Sequence, residues 1–102
     1  MKRHLWINWM VAMIFVLGTT SAYAQPPYAK WGEMAVEETQ KHYPRAQIID
    51  YLHVGRTQVS PSTSKETFRL LLRQDHREFT VIVAITFLTA SEKLLSIQIQ
   101  ER

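Results

Sequence analysis

The spacing of hydrophobic positions changes twice along the chain, and each change predicts a different kind of segment. Leu5 to Leu17 is an apolar run broken only by Asn8. From Tyr28 to His42 the spacing becomes helical. Tyr28, Trp31, Gly32, Ala35, Val36, Thr39 and Tyr43 recur at three- and four-residue steps and form one stripe, with Lys30, Glu33, Glu37 and Lys41 opposite. Glu37 and Lys41 stand in the favourable i, i+4 order, and Pro44 stops the helix. Gly32 lowers helix propensity, so its position predicts close approach of the helix to the sheet beneath it. Gln25-Pro26-Pro27 predicts an extended lead-in, because proline fixes its own φ and keeps the preceding residue out of helix.

Beyond Pro44 the period falls to two, which predicts four strands: Ala46–Val54, Lys65–Arg73, Glu78–Leu88 and Lys93–Gln100. The turn-rich stretch from Gly55 to Ser64 separates the first two. Gln74-Asp75-His76-Arg77 is the expected hairpin into the third, and Ala90-Ser91-Glu92 the turn into the fourth. Phe68, Leu70 and Leu72 share one face of the second strand. Phe79, Val81, Val83, Ile85 and Phe87 share one face of the third, and Leu95, Ile97 and Ile99 one face of the fourth. The expected fold class is α+β, one N-terminal helix packed on a four-stranded antiparallel sheet in the order α-β-β-β-β. Thr80, Ile82, Ala84, Thr86 and Leu88 make the other face of the third strand fairly apolar too, so that strand is expected to be central and its second face partly exposed.

The first apolar run reads as a targeting segment. Met1-Lys2-Arg3-His4 is a basic n-region, and Ala22-Tyr23-Ala24 places small residues where a signal peptidase reads them. As a helix the run would span about 20 Å, short of the roughly 30 Å hydrocarbon core of a bilayer. The expected organisation is a signal peptide over 1–24, cleaved between Ala24 and Gln25, followed by one small domain over 25–102. The alternative is an uncleaved segment that tethers the protein to the membrane. Cleavage leaves 102 − 24 = 78 residues, and losing Lys2 and Arg3 lowers the formal net charge from +3 to +1. A near-neutral domain of this size argues against nucleic acid as a partner. There is no cysteine. That excludes a thiolate nucleophile, a cysteine-ligated metal and a lipidated cysteine after the cleavage site, and leaves the domain to stand on packing alone. A soluble exported protein, secreted or associated with the cell wall of a Gram-positive organism, is the expected setting.

"YAKWG" at the head of the helix, "HYP" at its end, "DYLHVGR" in the first strand and "EF" opening the third carry a resemblance. In order and spacing they resemble the small exported Bacillus proteins of the YqzG/YhdC type, a domain family of unknown function. The resemblance covers essentially the whole chain after the targeting segment. It implies secretion and one compact domain, and it transfers no catalytic residue. The helix-then-sheet order is also similar to PepSY and cystatin-like modules, at the level of fold alone.

Candidate chemistry concentrates in residues 50 to 56. In a regular strand, residues three apart point to opposite faces, so Asp50 and His53 do not form a dyad without a bulge. Asp50 and Arg56 would share a face with Ile48, Leu52 and Val54, but about 20 Å apart. If that face is the core face, Asp50 is a partly buried structural aspartate in need of hydrogen-bond donors. Gly55 is the expected bend or bulge at the strand end. Asp75-His76-Arg77-Glu78 gathers charges in a predicted hairpin loop, where solvated charges are ordinary. His42 sits in the last helical turn, where it suits the negative end of the macrodipole. The histidines lack metal-ligand spacing, and neither a nucleophile elbow nor a glycine-rich phosphate loop is present. Tyr28, Trp31 and Tyr43 read as core or boundary residues of the helix rather than as a ligand-stacking platform.

The function expected on these grounds is a non-enzymatic binding or modulating module with no cofactor and no metal. It would recognise a peptide, protein or wall polymer through a strand edge or the open sheet face. The candidate polar residues are Asp50, His53 and Arg56. The competing expectation is a small metal-dependent or hydrolytic enzyme built on Asp50 and His53 or on the Asp75–Glu78 hairpin.

Overall fold

The computed structural model describes residues 26–102; the expected signal segment, its cleavage residues Ala24 and Gln25 included, lies outside them. Helix α1 spans Ala29–His42. Its first bonds are made by the N–H groups of Trp31 and Gly32, which both donate to the Tyr28 carbonyl at 3.0 Å. Lys41 and His42 occupy the last turn, where positive charge complements the helix dipole. Trp31, Gly32, Ala35 and Thr39 form the buried stripe, as the helical period predicts.

Four strands follow: β1 Gln47–Ser60, β2 Thr63–Gln74, β3 Arg77–Leu88 and β4 Leu94–Glu101. They form one antiparallel sheet in the order β1-β2-β3-β4, an uncrossed meander with α1 on one face. The fold is therefore α+β, one helix on a four-stranded sheet. Its core lies between α1 and the sheet. Trp31 and Ala35 from the helix meet Phe68, Leu70 and Leu72 of β2 and Phe79, Val81, Val83, Ile85 and Phe87 of β3. Trp31 stacks on Phe87 with ring centroids 4.2 Å apart and planes 17° from parallel. Among the described residues no helix is long and apolar enough to cross a membrane.

Two connections differ from the expected ones. The stretch from Gly55 to Ser64 is mostly strand: β1 runs on to Ser60, and only Pro61-Ser62 turn before β2 begins. The loop-forming composition of this stretch is overridden by continuous pairing with β2, Arg56 opposite Glu66, Thr57 opposite Lys65 and Gln58 opposite Ser64. The hairpin between β2 and β3 is also tighter, since Gln74 and Arg77 already pair. Asp75 and His76 alone make the turn, both with positive φ, 52° and 65°.

Candidate functional site

Strand β1 explains where the candidate residues go. Its pairing with β2 slips three times, leaving Ile49, Val54 and Val59 as extra residues spaced five apart. Each extra residue inverts the inward-outward alternation of the residues that follow. The side facing α1 consequently receives Ile48, then Tyr51 and His53, then Arg56, opposite Leu72, Leu70, Phe68 and Glu66 of β2. Gly55 follows the second slip with φ of 156°, a value L side chains rarely adopt.

The slips bring His53 and Arg56 to one carboxylate. Glu66 is 1% exposed, on the core side of central strand β2. His53 Nε2 lies 2.5 Å from its Oε2, and Arg56 Nε donates to its Oε1 at 2.8 Å. Tyr28 stacks flat on the His53 ring, with centroids 3.7 Å apart and planes 11° from parallel, while Phe68 flanks the same ring at 5.2 Å. The Arg56 guanidinium lies over Phe87 at 5.1 Å. Both carboxylate oxygens are thus engaged, and the imidazole carries an aromatic lid. Ser64, two residues before Glu66, is also buried and shares a 2.7 Å hydrogen bond with Thr89. Beside the cluster, burial first, then Tyr28 and Glu66, push the Tyr51 phenol above its ordinary pKa. At the same end of the helix Lys30 donates to Glu92 at 2.7 Å, and this hydrogen bond, with the ammonium's charge, holds the Glu92 carboxyl below the usual carboxylate range.

Asp50 stands apart, because the face it was to share with Ile48, Leu52 and Val54 is not the core face at this point, and the partial burial that depended on it does not occur. It is exposed, and its Oδ1 accepts the backbone N–H of Tyr51 at 2.8 Å. The slip at Ile49 is the physical reason, since it turns Asp50 and Leu52 away from the core. Leu52 and Val54, placed with Asp50 on one presumed core face, are 48% and 55% exposed. Arg56 no longer shares a face with Asp50, because the slip at Val54 returns it to the helix side. The opposition of Asp50 and His53 stands, as no slip falls between them. The hairpin charges lie apart as well: Arg73 pairs with Glu78 at 2.8 Å and Arg77 approaches Glu101 at 3.7 Å. Among the described residues no three His, Cys, Asp or Glu side chains come together as metal ligands would.

Glu66 is the residue that sequence reasoning missed. Its signal was parity, because it falls on the same alternate positions as Phe68, Leu70 and Leu72. A carboxylate on a core-facing period demands partners. The arrangement ties β1 to β2 and, through Tyr28, fixes the start of α1 on the sheet. Among the described residues the side-chain hydrogen bond of His53 runs to Glu66.

The opposite face of the sheet carries no element of the described chain. Across it run rows of matched neighbours: Asp50, Leu71 and Thr80; Leu52, Arg69, Ile82 and Gln100; Thr57, Lys65, Thr86 and Ser96. Asp50, Leu52, Arg69, Leu71 and Thr80 surround a shallow depression there. Arg73 is neutralised by Glu78, whereas Lys65 and Arg69 pair with no carboxylate among the described residues.

Fold and site together define a small α+β domain with one helix clamped to a four-stranded meander by a buried carboxylate, its outer sheet face open. A family model described as a protein of unknown function (DUF3889) matches residues 10–101, and the chain belongs to that family. It is 35% identical over 95 residues to the uncharacterized protein YqzG of Bacillus subtilis (strain 168), covering 86% of this chain and 87% of that protein. An NMR structure of a protein from Bacillus subtilis superposes with a TM-score of 0.66 at 36% identity, covering 72% of this chain and 83% of the other.

Proposed function

We propose that this protein is an exported binding or modulating module, not an enzyme, that acts outside the cell or at its envelope through the open face of its sheet. The ligand class is an acidic peptide, protein or wall polymer. One observation carries the reading: Arg69 stands without a carboxylate partner beside Leu52, Leu71 and Ile82, and Lys65, likewise unpaired, stands further along β2 between Thr57 and Thr86, on a face that nothing in the described chain covers. Apolar residues supply contact area there, and unpaired cations supply attraction and selectivity for negative charge. The ordering of the other cluster supports the same reading. Glu66 spends both oxygens on internal partners, so His53 and Arg56 act as a clamp. The helix-then-sheet order, similar to that of PepSY and cystatin-like modules, supports a binding role by fold analogy.

The test is an NMR titration with an oligoglutamate peptide and with a phosphodiester polymer. Backbone shifts should concentrate at Lys65, Arg69, Leu71 and Ile82, and the variant Lys65→Glu/Arg69→Glu should lose them. Shifts absent with both probes, or confined to α1, would overturn the reading. Export with cleavage after Ala24 predicts a mass for the recovered protein that starts at Gln25; a retained N-terminal segment would replace export with a membrane tether.

A further inference from the structure

The two edges of the sheet are built differently. Edge strand β1 is interrupted by three slips in register, which break the regular row of backbone groups that another strand would need. Edge strand β4 has its one slip near its start, and from Ser96 to Glu101 it pairs with β3 without interruption. Leu94 to Gln100 contains no charged residue and no proline, the usual devices that blunt an edge. The Arg102 N–H donates to the Thr80 carbonyl at 2.8 Å. Because antiparallel pairing alternates, Ile97, Ile99 and Glu101 then direct their own N–H and C=O groups away from β3, along the outer edge.

The side chains repeat the message. Helix α1 packs chiefly over β1, β2 and β3, so the helix side of β4 lies at the margin of the core. Ile97 and Ile99 stand opposite the fully buried Ile85 and Val83 yet are only half-buried themselves, and Leu94 and Leu95 are 40% and 50% exposed.

We propose that β4 pairs with β4 of a second copy of this chain, antiparallel about a two-fold axis through Ile97, joining two four-stranded sheets into one. The choice of a second copy rests on self-complementarity. With Ile97 opposite its own counterpart, Ser96 meets Gln98, Leu95 at the slip meets Ile99, Leu94 meets Gln100, and Lys93 just before the strand meets Glu101, each pair occurring twice. Ile97 faces itself, polar Ser96 faces polar Gln98, the charges at the two ends are opposite in sign, and the Leu94–Gln100 pair alone is mixed. Glu101 is available for this, its contact with Arg77 being a long 3.7 Å. The dimer would extend the open face across both copies, which places it beyond the binding reading and independent of the ligand.

Sedimentation of the purified protein over a concentration series, with amide hydrogen exchange on the same samples, tests the proposal. The expected result is a monomer–dimer equilibrium in which the amides of Ile97 and Ile99 gain protection as concentration rises. Gln98 and Gln100, bonded to β3, stay protected throughout. Ser96→Lys/Gln98→Lys alters two exposed residues and sets like charges opposite each other twice. It should raise the dimer dissociation constant about tenfold or more, while Thr57→Lys on β1 should not. Lys93→Glu and Glu101→Lys should each weaken the dimer, and their combination should restore it. A wild-type protein that stays monomeric to millimolar concentration overturns the proposal. A dimer whose Ile97 and Ile99 amides remain unprotected overturns it equally, and needs no variant to be read.

Discussion

His53 Nε2 lies 2.5 Å from a Glu66 carboxylate that is itself 1% exposed, so a ring from the edge strand meets a carboxylate sealed in the core. The two sides of this contact are unequal in solvent access. The side chains of His53 and Arg56 are 22% and 38% exposed, whereas that of Glu66 is sealed at 1%. Removing Glu66 leaves two groups that water can reach. Removing Arg56 leaves a carboxylate that water cannot reach, which is the more costly state. Glu66→Gln is therefore expected to lower unfolding free energy by about 1–2 kcal/mol and Arg56→Met by about 2–4 kcal/mol. Urea denaturation checks the order. A double variant less destabilised than the sum of the two singles would confirm that they report one interaction, and equal or reversed single losses would contradict the clamp.

Three of the five elements were legible from spacing because nothing interrupts their period. The stripe of α1 and the alternation of β2 and β3 run unbroken, and Trp31, Phe68 and Val83 are buried where the period puts them. In β4 the slip beside Phe87 displaced Leu95 from the half-buried face that Ile97 and Ile99 keep. In β1 slips at Ile49 and Val54 make its helix-facing residues Ile48, Tyr51, His53 and Arg56, a series with no single period. A period-two reading had to misplace at least part of it. Bulges follow from three-dimensional strand pairing, and the composition around Gly55 marked only one of them. The clamp was hidden for the same reason, since its residues converge only after two inversions.

The β2–β3 turn asks two L residues, Asp75 and His76, to hold positive φ. That pattern is typical of the type I′ hairpin turn, for which Asn-Gly and Asp-Gly are preferred. His76 is exposed and makes no hydrogen bond through its side chain among the described residues, so glycine loses no hydrogen bond there. His76→Gly should raise stability by about 0.5–1 kcal/mol, seen as a higher urea midpoint at unchanged m-value. A lower midpoint would show that the imidazole contributes more than the strain it imposes.

Burial, then Tyr28 and Glu66, raise the Tyr51 pKa, and the sign of the consequence follows from linkage. The folded state favours the neutral phenol, so in alkali the unfolded chain ionises first. The stability this contributes is complete below the ordinary tyrosine value near 10 and is lost as pH climbs through the higher folded value. Ultraviolet titration of the folded protein should show one tyrosine ionising late, and Tyr51→Phe should remove it. The variant should also flatten the fall in stability between about pH 9 and 12. A late-ionising tyrosine that persists in Tyr51→Phe would reassign the effect to another ring.

The same phenol accounts for the glycine in the helix. A Cβ built on Gly32 would run into the Tyr51 hydroxyl, with the ring carbon that bears it at 3.0 Å. Sequence alone predicted close approach of a sheet; the approaching group is this side chain, which also stacks on Phe68 at 5.7 Å. Alanine is worth about 1 kcal/mol over glycine inside a helix. In the wild-type background that gain is offset, because the Tyr51 ring must tilt away from Phe68 to admit the methyl group. In a Tyr51→Phe background the closest atom is gone and much of the helical gain should return. Gly32→Ala is thus expected to be neutral or destabilising alone and more favourable by about 1 kcal/mol beside Tyr51→Phe. A four-protein cycle of urea melts measures that coupling directly. A coupling of zero would mean that the ring moves aside freely and that Gly32 answers to some other constraint.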